Sequence, residues 1–189
     1  MIGAYEKMFG NKPHEYSFPL DRRDHPELDD SEELGDEDTT KYQSMIGVLQ
    51  WLISLGHFDI ASAVMTMTRF RANPRVGHLE RLKHIYGYIR KLPNGCIHVR
   101  TATYDYSDIP KQEYDWEQSV YGPVKELVPD DTPEPLGKEV VTTTYVGANL
   151  YHYMLTGRAV TGVLHLLNGT PVEWYSKRQA TVETATYGS

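Results

Sequence analysis

An Asn-Gly dipeptide between two runs of strand-forming residues is the feature that most constrains the fold of this chain. Val160 to Leu167 is β-branched and aliphatic, and Pro171 to Ser176 resumes as a returning strand. Asn168-Gly169 favours a tight type I′ turn, because both residues tolerate the positive φ angles that this turn requires. The sequence therefore predicts a β-hairpin. Thr142 to Leu150 is predicted to be a further strand, and Val182 to Tyr187 to be the start of a helix.

Three apolar stripes at helical spacing precede the hairpin. The first runs from Tyr42 to Gly56, the second from Asp59 to Asn73-Pro74, and the third from Leu79 to Ile89. Apolar residues that recur every three to four positions form one face of an amphipathic helix, and glycine or proline suits the end of a helix. The sequence therefore predicts a small subdomain of three helices, with Cys96 to Val99 as a strand beyond it.

Charge is segregated along the chain, whose net charge is −7. The stretch from Arg69 to Arg100 is positive, whereas Asp21 to Asp38 and Asp105 to Glu139 are acidic and contain scattered prolines and glycines. Like charge and low hydrophobicity predict exposed linkers. We therefore divide the chain into an acidic, partly disordered linker at 1–41, a helical subdomain at 42–100, an acidic insertion loop at 101–139 and a β domain at 140–189.

The last quarter of the chain resembles a known enzyme domain. The segments that carry the resemblance are Ala148-Asn149, Gly157 to Gly162, and Pro171 to Gln179 (PVEWYSKRQ). They are similar to the start of the ribonuclease H domain of copia-type long-terminal-repeat retrotransposons. At the position where that family carries its first metal-binding Asp, this chain has Gly147. The family's glutamate on the following helix would come just after Ser189.

The helical stripes carry a second resemblance. Tyr42 to Leu52 (YQSMIGVLQWL), Asp59 to Val64, Arg69-Phe70, and the helix from His78 to Tyr88 are similar to the end of copia-type reverse transcriptases. His57-Phe58 stands where the family usually has Arg-Pro. The two resemblances occur in the order expected of a copia-type polyprotein.

Together the resemblances imply an α+β fold. A small three-helix subdomain, like the thumb or connection of a reverse transcriptase, would be followed by an incomplete ribonuclease H-like antiparallel three-strand sheet. A sheet without the helices that normally cover it should leave one face unburied.

Catalytic activity is not expected of this chain alone. The parent family synthesises DNA from RNA and hydrolyses RNA in RNA·DNA hybrids, the latter with carboxylates that hold two Mg²⁺ ions. Gly147 has no ligand to offer, and Glu173 and Glu183 are expected to be solvated surface carboxylates. No Tyr/Phe-x-Asp-Asp motif precedes the first stripe, and Asp29-Asp30 and Asp130-Asp131 lie in acidic, turn-rich segments. Apart from the Mg²⁺ of the parent family, no catalytic residue, metal site or cofactor is predicted.

Nucleic-acid binding is the alternative function that the charge pattern suggests. Lys and Arg side chains that neutralise phosphates release counterions and give affinity without sequence specificity. The same residues are equally typical of the wet face of soluble helices. The candidates are Arg71, Arg75, Arg81, Lys83, Arg90, Lys91, Arg158 and Lys177.

Aromatic and histidine side chains support no further site. Trp51, Tyr86 and Tyr88 are spaced for packing in or beside the helical core rather than for stacking on bases. His78 and His84 are six residues apart and do not share a helical face as a zinc pair would. All eight histidines are expected to be surface or packing residues.

Two functions of different classes therefore remain open. The chain is either an inactive piece of a copia-type polyprotein, whose partners are the missing parts of that polyprotein, or a module that binds RNA·DNA hybrid or other nucleic acid weakly. No apolar run approaches the roughly 20 residues that span a bilayer, so no membrane association is predicted. The first ten residues lack the features of a signal peptide, and Cys96 is the single cysteine, so we expect an intracellular location and no internal disulfide.

Overall fold

The computed structural model describes residues 1–21, 23–93, 95–100, 105, 107, 129–134, 137 and 140–182, with 150–152 through their backbone alone. Within these residues four α-helices precede one three-stranded antiparallel sheet, which confirms the α+β class. The helices are α1 (Ile2–Phe9), α2 (Asp36–Ser54), α3 (Ala61–Thr68) and α4 (Val76–Lys91), and the strands are β1 (Thr142–Tyr153), β2 (Arg158–Leu167) and β3 (Thr170–Arg178). Single 3₁₀ turns lie at Pro26–Leu28 and Phe58–Ile60.

The three predicted helical stripes pack together as the core of the molecule. Residues at helical spacing on α2, α3 and α4 are fully buried against one another, among them Met45, Ile46, Leu49, Val64, Met67, Leu82 and Ile85. Tyr42 is buried with them, and its hydroxyl donates a hydrogen bond to the Met67 carbonyl oxygen at 2.7 Å. This bond satisfies the one polar atom that the ring brings into the core.

Helix α2 begins earlier than the apolar stripe indicated. Its first turn consists of Asp36, Glu37 and Asp38, which the sequence placed in the acidic linker. Carboxylates at a helix amino terminus interact favourably with the helix dipole, so these charges start the helix. The helix ends at Ser54, and Gly56 follows with a φ of 114°, a conformation that glycine adopts without strain.

The segment before α2, residues 1–35, also differs in its described part from the partly disordered linker that the sequence predicted. It is called the amino-terminal segment below. Tyr5 of α1 is buried beside Tyr86, with the two ring centroids 5.5 Å apart, and Pro13 is fully buried. The chain after α1 passes so close to α4 that a Cβ on Gly87 would lie 1.8 Å from the His14 carbonyl oxygen. Glycine at this position is therefore what lets the segment lie on α4. An acidic composition did not prevent order here, because the segment lies against a basic helix.

The β-hairpin forms as predicted. Asn168 (φ 47°) and Gly169 (φ 74°) make the turn, and β2 pairs with β3 in antiparallel register. The third predicted strand is present as β1, which extends to Tyr153 and gives the order β1-β2-β3.

Of two other local predictions, one was wrong and the other lies mostly outside the described residues. Cys96 to Val99 is not a strand, and this prediction was wrong. Strand-forming residues need a neighbouring strand, and Arg100 just beyond them donates its backbone N–H to the Thr170 side-chain oxygen instead of to a ladder carbonyl. Most of the predicted helix after Val182 falls at 183–189, outside the described residues.

The sheet lies on the helices through one of its two faces. On that face the Trp174 indole Nε1–H donates to the Ile53 carbonyl oxygen at the end of α2, at 3.0 Å, and its ring lies 5.5 Å from that of Phe58. Alternation along the strands places Val146 and Tyr175 on the other face, where they are 69% and 47% exposed. The expected unburied face is therefore present.

We expect Trp174→Phe to lower the free energy of unfolding by about 1 kcal/mol, because the Ile53 carbonyl loses the hydrogen bond from the indole N–H while the aromatic contact with Phe58 is largely kept. Urea unfolding followed by circular dichroism measures this change. Tyr175→Phe, on the opposite face of the same strand, is the matched control and should change stability little. Equal losses in both variants would mean that the hydrogen bond does not couple the sheet to α2.

Candidate functional site

Gly147 lies midway along β1, an edge strand of the sheet, in a row of small residues that faces α3. It is paired with Gly162 of β2, which is paired in turn with Ser176 of β3. A cavity of about 560 Å³ separates this row from the start of α3 at Ala61. A Cβ built on Gly147 would meet nothing within 4 Å, so the space for a larger side chain is open.

Glu173, one of the two glutamates that could have replaced an aspartate at position 147, does not do so. Glu173 lies on the opposite face of the sheet, where its carboxylate is 3.9 Å from the His165 Nε2 atom. Glu183 is outside the described residues. Within the part of the chain that the structure describes, no group of three or more His, Cys, Asp or Glu side chains is placed to hold a metal ion.

Arg81, a predicted phosphate-contacting residue, is instead held by the amino-terminal segment. Its guanidinium donates to both carboxylate oxygens of Asp24, at 2.7 and 2.8 Å, and to one oxygen of Asp29. These side chains are largely buried, with 22% of the Arg81 side chain and 9% of the Asp29 side chain exposed. Burial opposes ionisation of Asp29, but the hydrogen bonds from Ser31 and Arg81 outweigh it and hold the pKa of the carboxyl below its ordinary value.

The other predicted cations of α4 also have partners within the chain. Arg75 donates to the Ser31 carbonyl oxygen and lies 3.7 Å from Glu33. Lys83 pairs with Glu80 on its own helix at 2.7 Å. The basic face that the sequence suggested is therefore largely compensated by neighbouring groups.

The carboxyl end of α4 follows the same pattern. Arg90 donates to the Pro13 carbonyl oxygen at 2.6 Å and lies 3.3 Å from Glu15, and Lys91 donates to Ser17 at 2.8 Å. All of these partners belong to the amino-terminal segment. The positive charge of α4 thus holds that segment in place.

The three remaining residues that the sequence suggested for nucleic-acid binding are not on α4. Arg71 is exposed just after α3, and Lys177 is exposed on β3. Arg158 is half-buried at the start of β2, and its Nε atom has no hydrogen-bond partner among the described residues.

Sequence reasoning missed two cations that the fold brings together. Arg69 follows α3 and Arg178 ends β3, and both guanidinium groups flank the ring of Tyr153, with their Cζ atoms 5.2 and 5.3 Å from its centroid. Both arginines belong to segments that carry the resemblances described above. Their 109-residue separation hides their proximity, since only the docking of the sheet on α3 brings them together.

The aromatic predictions were partly correct. Tyr86 is buried and Tyr88 half-buried, as expected, but Trp51 is 65% exposed. The buried face of α2 is occupied by Tyr42, Leu49 and their neighbours, and the helical rotation from 49 to 51 turns Trp51 toward solvent. Packing was therefore the wrong expectation for this residue.

His78 is a packing residue, as predicted. Its Nδ1 accepts the Arg75 backbone N–H at 3.0 Å, so its Nε2 carries the proton and donates to the Pro26 carbonyl oxygen at 2.9 Å. Its ring stacks on Phe70 with centroids 4.0 Å apart, and burial lowers the pKa of the imidazole. The neutral ring thus caps α4 and fastens the 3₁₀ turn at Pro26.

Comparison with known proteins gives one informative relative. Over 142 residues the chain is 24% identical to the putative transposon Ty5-1 protein YCL074W of Saccharomyces cerevisiae. The chain is thus similar to a retrotransposon protein. The alignment covers 75% of this chain and 35% of the yeast protein, so the chain spans about a third of its relative's length. This distant similarity indicates a retrotransposon-derived protein.

The other comparisons find no counterpart. No protein-family model matches the chain, and no solved structure matches it. Within the described residues, none of the helices combines the length and the apolar character needed to cross a membrane.

We expect Arg81→Gln to lower the free energy of unfolding at neutral pH by about 1–3 kcal/mol, since Asp24 and Asp29 lose their shared partner in a partly buried setting. Because the pKa of Asp29 is lowered by folding, its contribution is present above its unfolded value near 4 and is lost as the pH falls through the folded value. The difference between wild type and variant should therefore shrink below about pH 4.

Thermal unfolding at pH 7, 4 and 3 measures this effect. Lys41→Gln is the control, because its pairs with Glu37 and Asp38 lie within one helix and should contribute little at any pH. A stability difference for Arg81→Gln that stays constant from pH 7 to 3 would contradict the assignment to Asp29.

Proposed function

We propose that this chain comprises the end of a copia-type reverse transcriptase and the opening of its ribonuclease H domain, and that it has neither activity on its own. The similarity to the Ty5-1 protein supports a retrotransposon origin. The order of the helical segments and the hairpin, together with the motifs they carry, supports the finer assignment. An intracellular location is part of this proposal.

The main support for the proposed lack of ribonuclease H activity is that residue 147 is a glycine and has no side chain to bind a metal ion. Hydrolysis of RNA by two metal ions requires carboxylates that hold both Mg²⁺ ions about 4 Å apart. The row from Gly147 to Ser176 offers a hydroxyl but no carboxylate, and Glu173 is on the opposite face of the sheet. The described residues around position 147 therefore do not fit the two Mg²⁺ ions of the parent family.

The exposed face of the sheet supports a partner within the parent polyprotein. Val146 and Tyr175 lie there in contact with solvent, whereas equivalent apolar strand residues normally pack against a second layer. We propose that the parts of the polyprotein that follow the hairpin cover this face.

We expect the purified chain to leave a labelled RNA·DNA hybrid intact in the presence of Mg²⁺, measured by gel electrophoresis beside an active ribonuclease H. Gly147→Asp should fold, because its side chain enters open space, and should remain inactive, because one carboxylate cannot hold two metal ions. Mg²⁺-dependent cleavage by the wild-type chain would overturn the proposal.

A second function, weak binding of nucleic acid, is favoured by the cations that lie away from α4. Arg71 and Lys177 are exposed, and Arg69 and Arg178 flank the Tyr153 ring between α3 and β3. Among the described residues these four side chains form no ion pair. The surface beside α3 and β3 therefore suits phosphate contacts better than α4, whose cations have partners.

We expect affinity for RNA·DNA hybrid, measured by fluorescence anisotropy, to fall steeply between about 50 and 200 mM salt. Arg71→Gln should weaken binding and reduce the slope of log K against log salt by about one, as the loss of one phosphate contact predicts. Lys7→Gln, which removes an exposed cation from α1, is the control. Negligible binding at low salt would eliminate this second function.

A further inference from the structure

Two arginines from distant parts of the chain converge between α3 and β3, where neither forms an ion pair with a carboxylate among the described residues. The Cζ atoms of Arg69 and Arg178 lie 5.2 and 5.3 Å from the centroid of the Tyr153 ring. Contact with an aromatic ring is favourable for each guanidinium, but it does not neutralise the charge of either. The arrangement therefore concentrates positive charge at one place.

The guanidinium of Arg69 has a buried donor whose hydrogen bond is not satisfied by the described residues. Its Nη1 atom is buried and has no partner among the described residues. Burial, followed by repulsion from Arg178, lowers the pKa of the Arg69 guanidinium. A buried guanidinium N–H without an acceptor is costly, so the geometry of this group suits an acceptor that comes from outside the described chain.

The carboxylate of Glu27, which attracts Arg69, already has other hydrogen-bond partners. Glu27 attracts Arg69 electrostatically but makes no ion pair with it. Its Oε1 atom accepts the backbone N–H of Met154 at 3.0 Å and lies 3.1 Å from the His25 Nδ1 atom. Glu27 thus holds the β1–β2 turn to the amino-terminal segment and forms no ion pair with either arginine.

The space beside the arginines is open and lined by donors. A cavity of about 250 Å³ is bordered by Arg69 and Arg178 and by the hydroxyl-bearing residues Ser62 and Ser176. That volume far exceeds the roughly 30 Å³ that one water occupies in the liquid, so a tetrahedral oxyanion has room. Arginine presents a planar fork of N–H donors that matches the oxygens of a phosphate.

We infer that the pocket between α3 and β3 binds a phosphate group through Arg69 and Arg178. The inference rests on the proposed nucleic-acid-binding function in one respect. If that function holds, the bound phosphate belongs to a nucleic-acid backbone. Binding of free phosphate depends only on the pocket itself.

Titration of the full chain with inorganic phosphate, at constant ionic strength and followed by calorimetry and by the thermal unfolding temperature, tests the pocket. Phosphate should bind and raise the unfolding temperature of the wild type. Arg178→Gln should weaken phosphate binding about tenfold or more, as the loss of a charged hydrogen-bond donor predicts. Arg178→Lys, which keeps the charge but loses the fork, should give an intermediate affinity.

Lys7→Gln is the control. It removes one positive charge from the exposed surface of α1, a helix that does not border the cavity. Its effect on phosphate affinity should stay below about twofold. Far-UV circular dichroism establishes that each variant folds. Absence of phosphate binding in the wild type, or equal losses for Lys7→Gln and Arg178→Gln, would overturn the inference.

A parallel titration with RNA·DNA hybrid separates this inference from the proposed function. Loss of both phosphate and hybrid affinity in Arg178→Gln would support the pocket and identify the nucleic-acid backbone as the source of phosphate. Arg178-dependent binding of phosphate alone would support a site for free phosphate, while the nucleic-acid function fails. If Arg178→Gln binds the hybrid as tightly as the wild type and neither binds phosphate, the phosphate site is wrong and the nucleic-acid-binding function is retained.

Discussion

The ion pairs of Arg81 with Asp24 and Asp29 are the contacts on which the arrangement of the amino-terminal half depends. A partly buried guanidinium must be paired, because an unpaired buried charge costs far more than the pair itself stabilises. Arg81 meets that requirement with two carboxylates from a segment more than fifty residues away. Once they are held there, Pro26 reaches His78 and Pro13 reaches Arg90, so that the whole segment follows α4.

The same contacts decide where positive charge is available. Acidic and basic stretches that are separate in the sequence neutralise each other across α4, which leaves that helix poorly suited to bind phosphates. Cations near the end of α3 and on β3 escape this compensation, because the amino-terminal segment does not extend carboxylates to them as ion-pair partners. The electrostatic character of the molecule thus depends on which surfaces the acidic segment covers.

The sheet presents a different constraint. Among the described residues one layer of helices covers it, whereas a sheet with two apolar faces needs a layer on each face. Trp174 anchors its inner face to α2, and the row through Gly147 lies over α3. The absence of a side chain at position 147 leaves open space where the resemblance places a metal ligand. The outer face, with Val146 and Tyr175, has no layer over it among the described residues.

The sequence alone determined the local elements of this protein. Helical periodicity identified α2, α3 and α4, and Asn168-Gly169 identified the hairpin, because both signals depend on neighbours within a few residues. Glycine at position 147, where the resemblance leads us to expect a carboxylate, was equally evident from the sequence. Only the tertiary structure decided that the acidic amino-terminal segment is ordered, that Trp51 faces solvent, that the cations of α4 are paired, and that Arg69 meets Arg178. Each of these depends on contacts between residues far apart in the chain, and the charge, burial and proximity of a side chain follow from such contacts rather than from its local sequence.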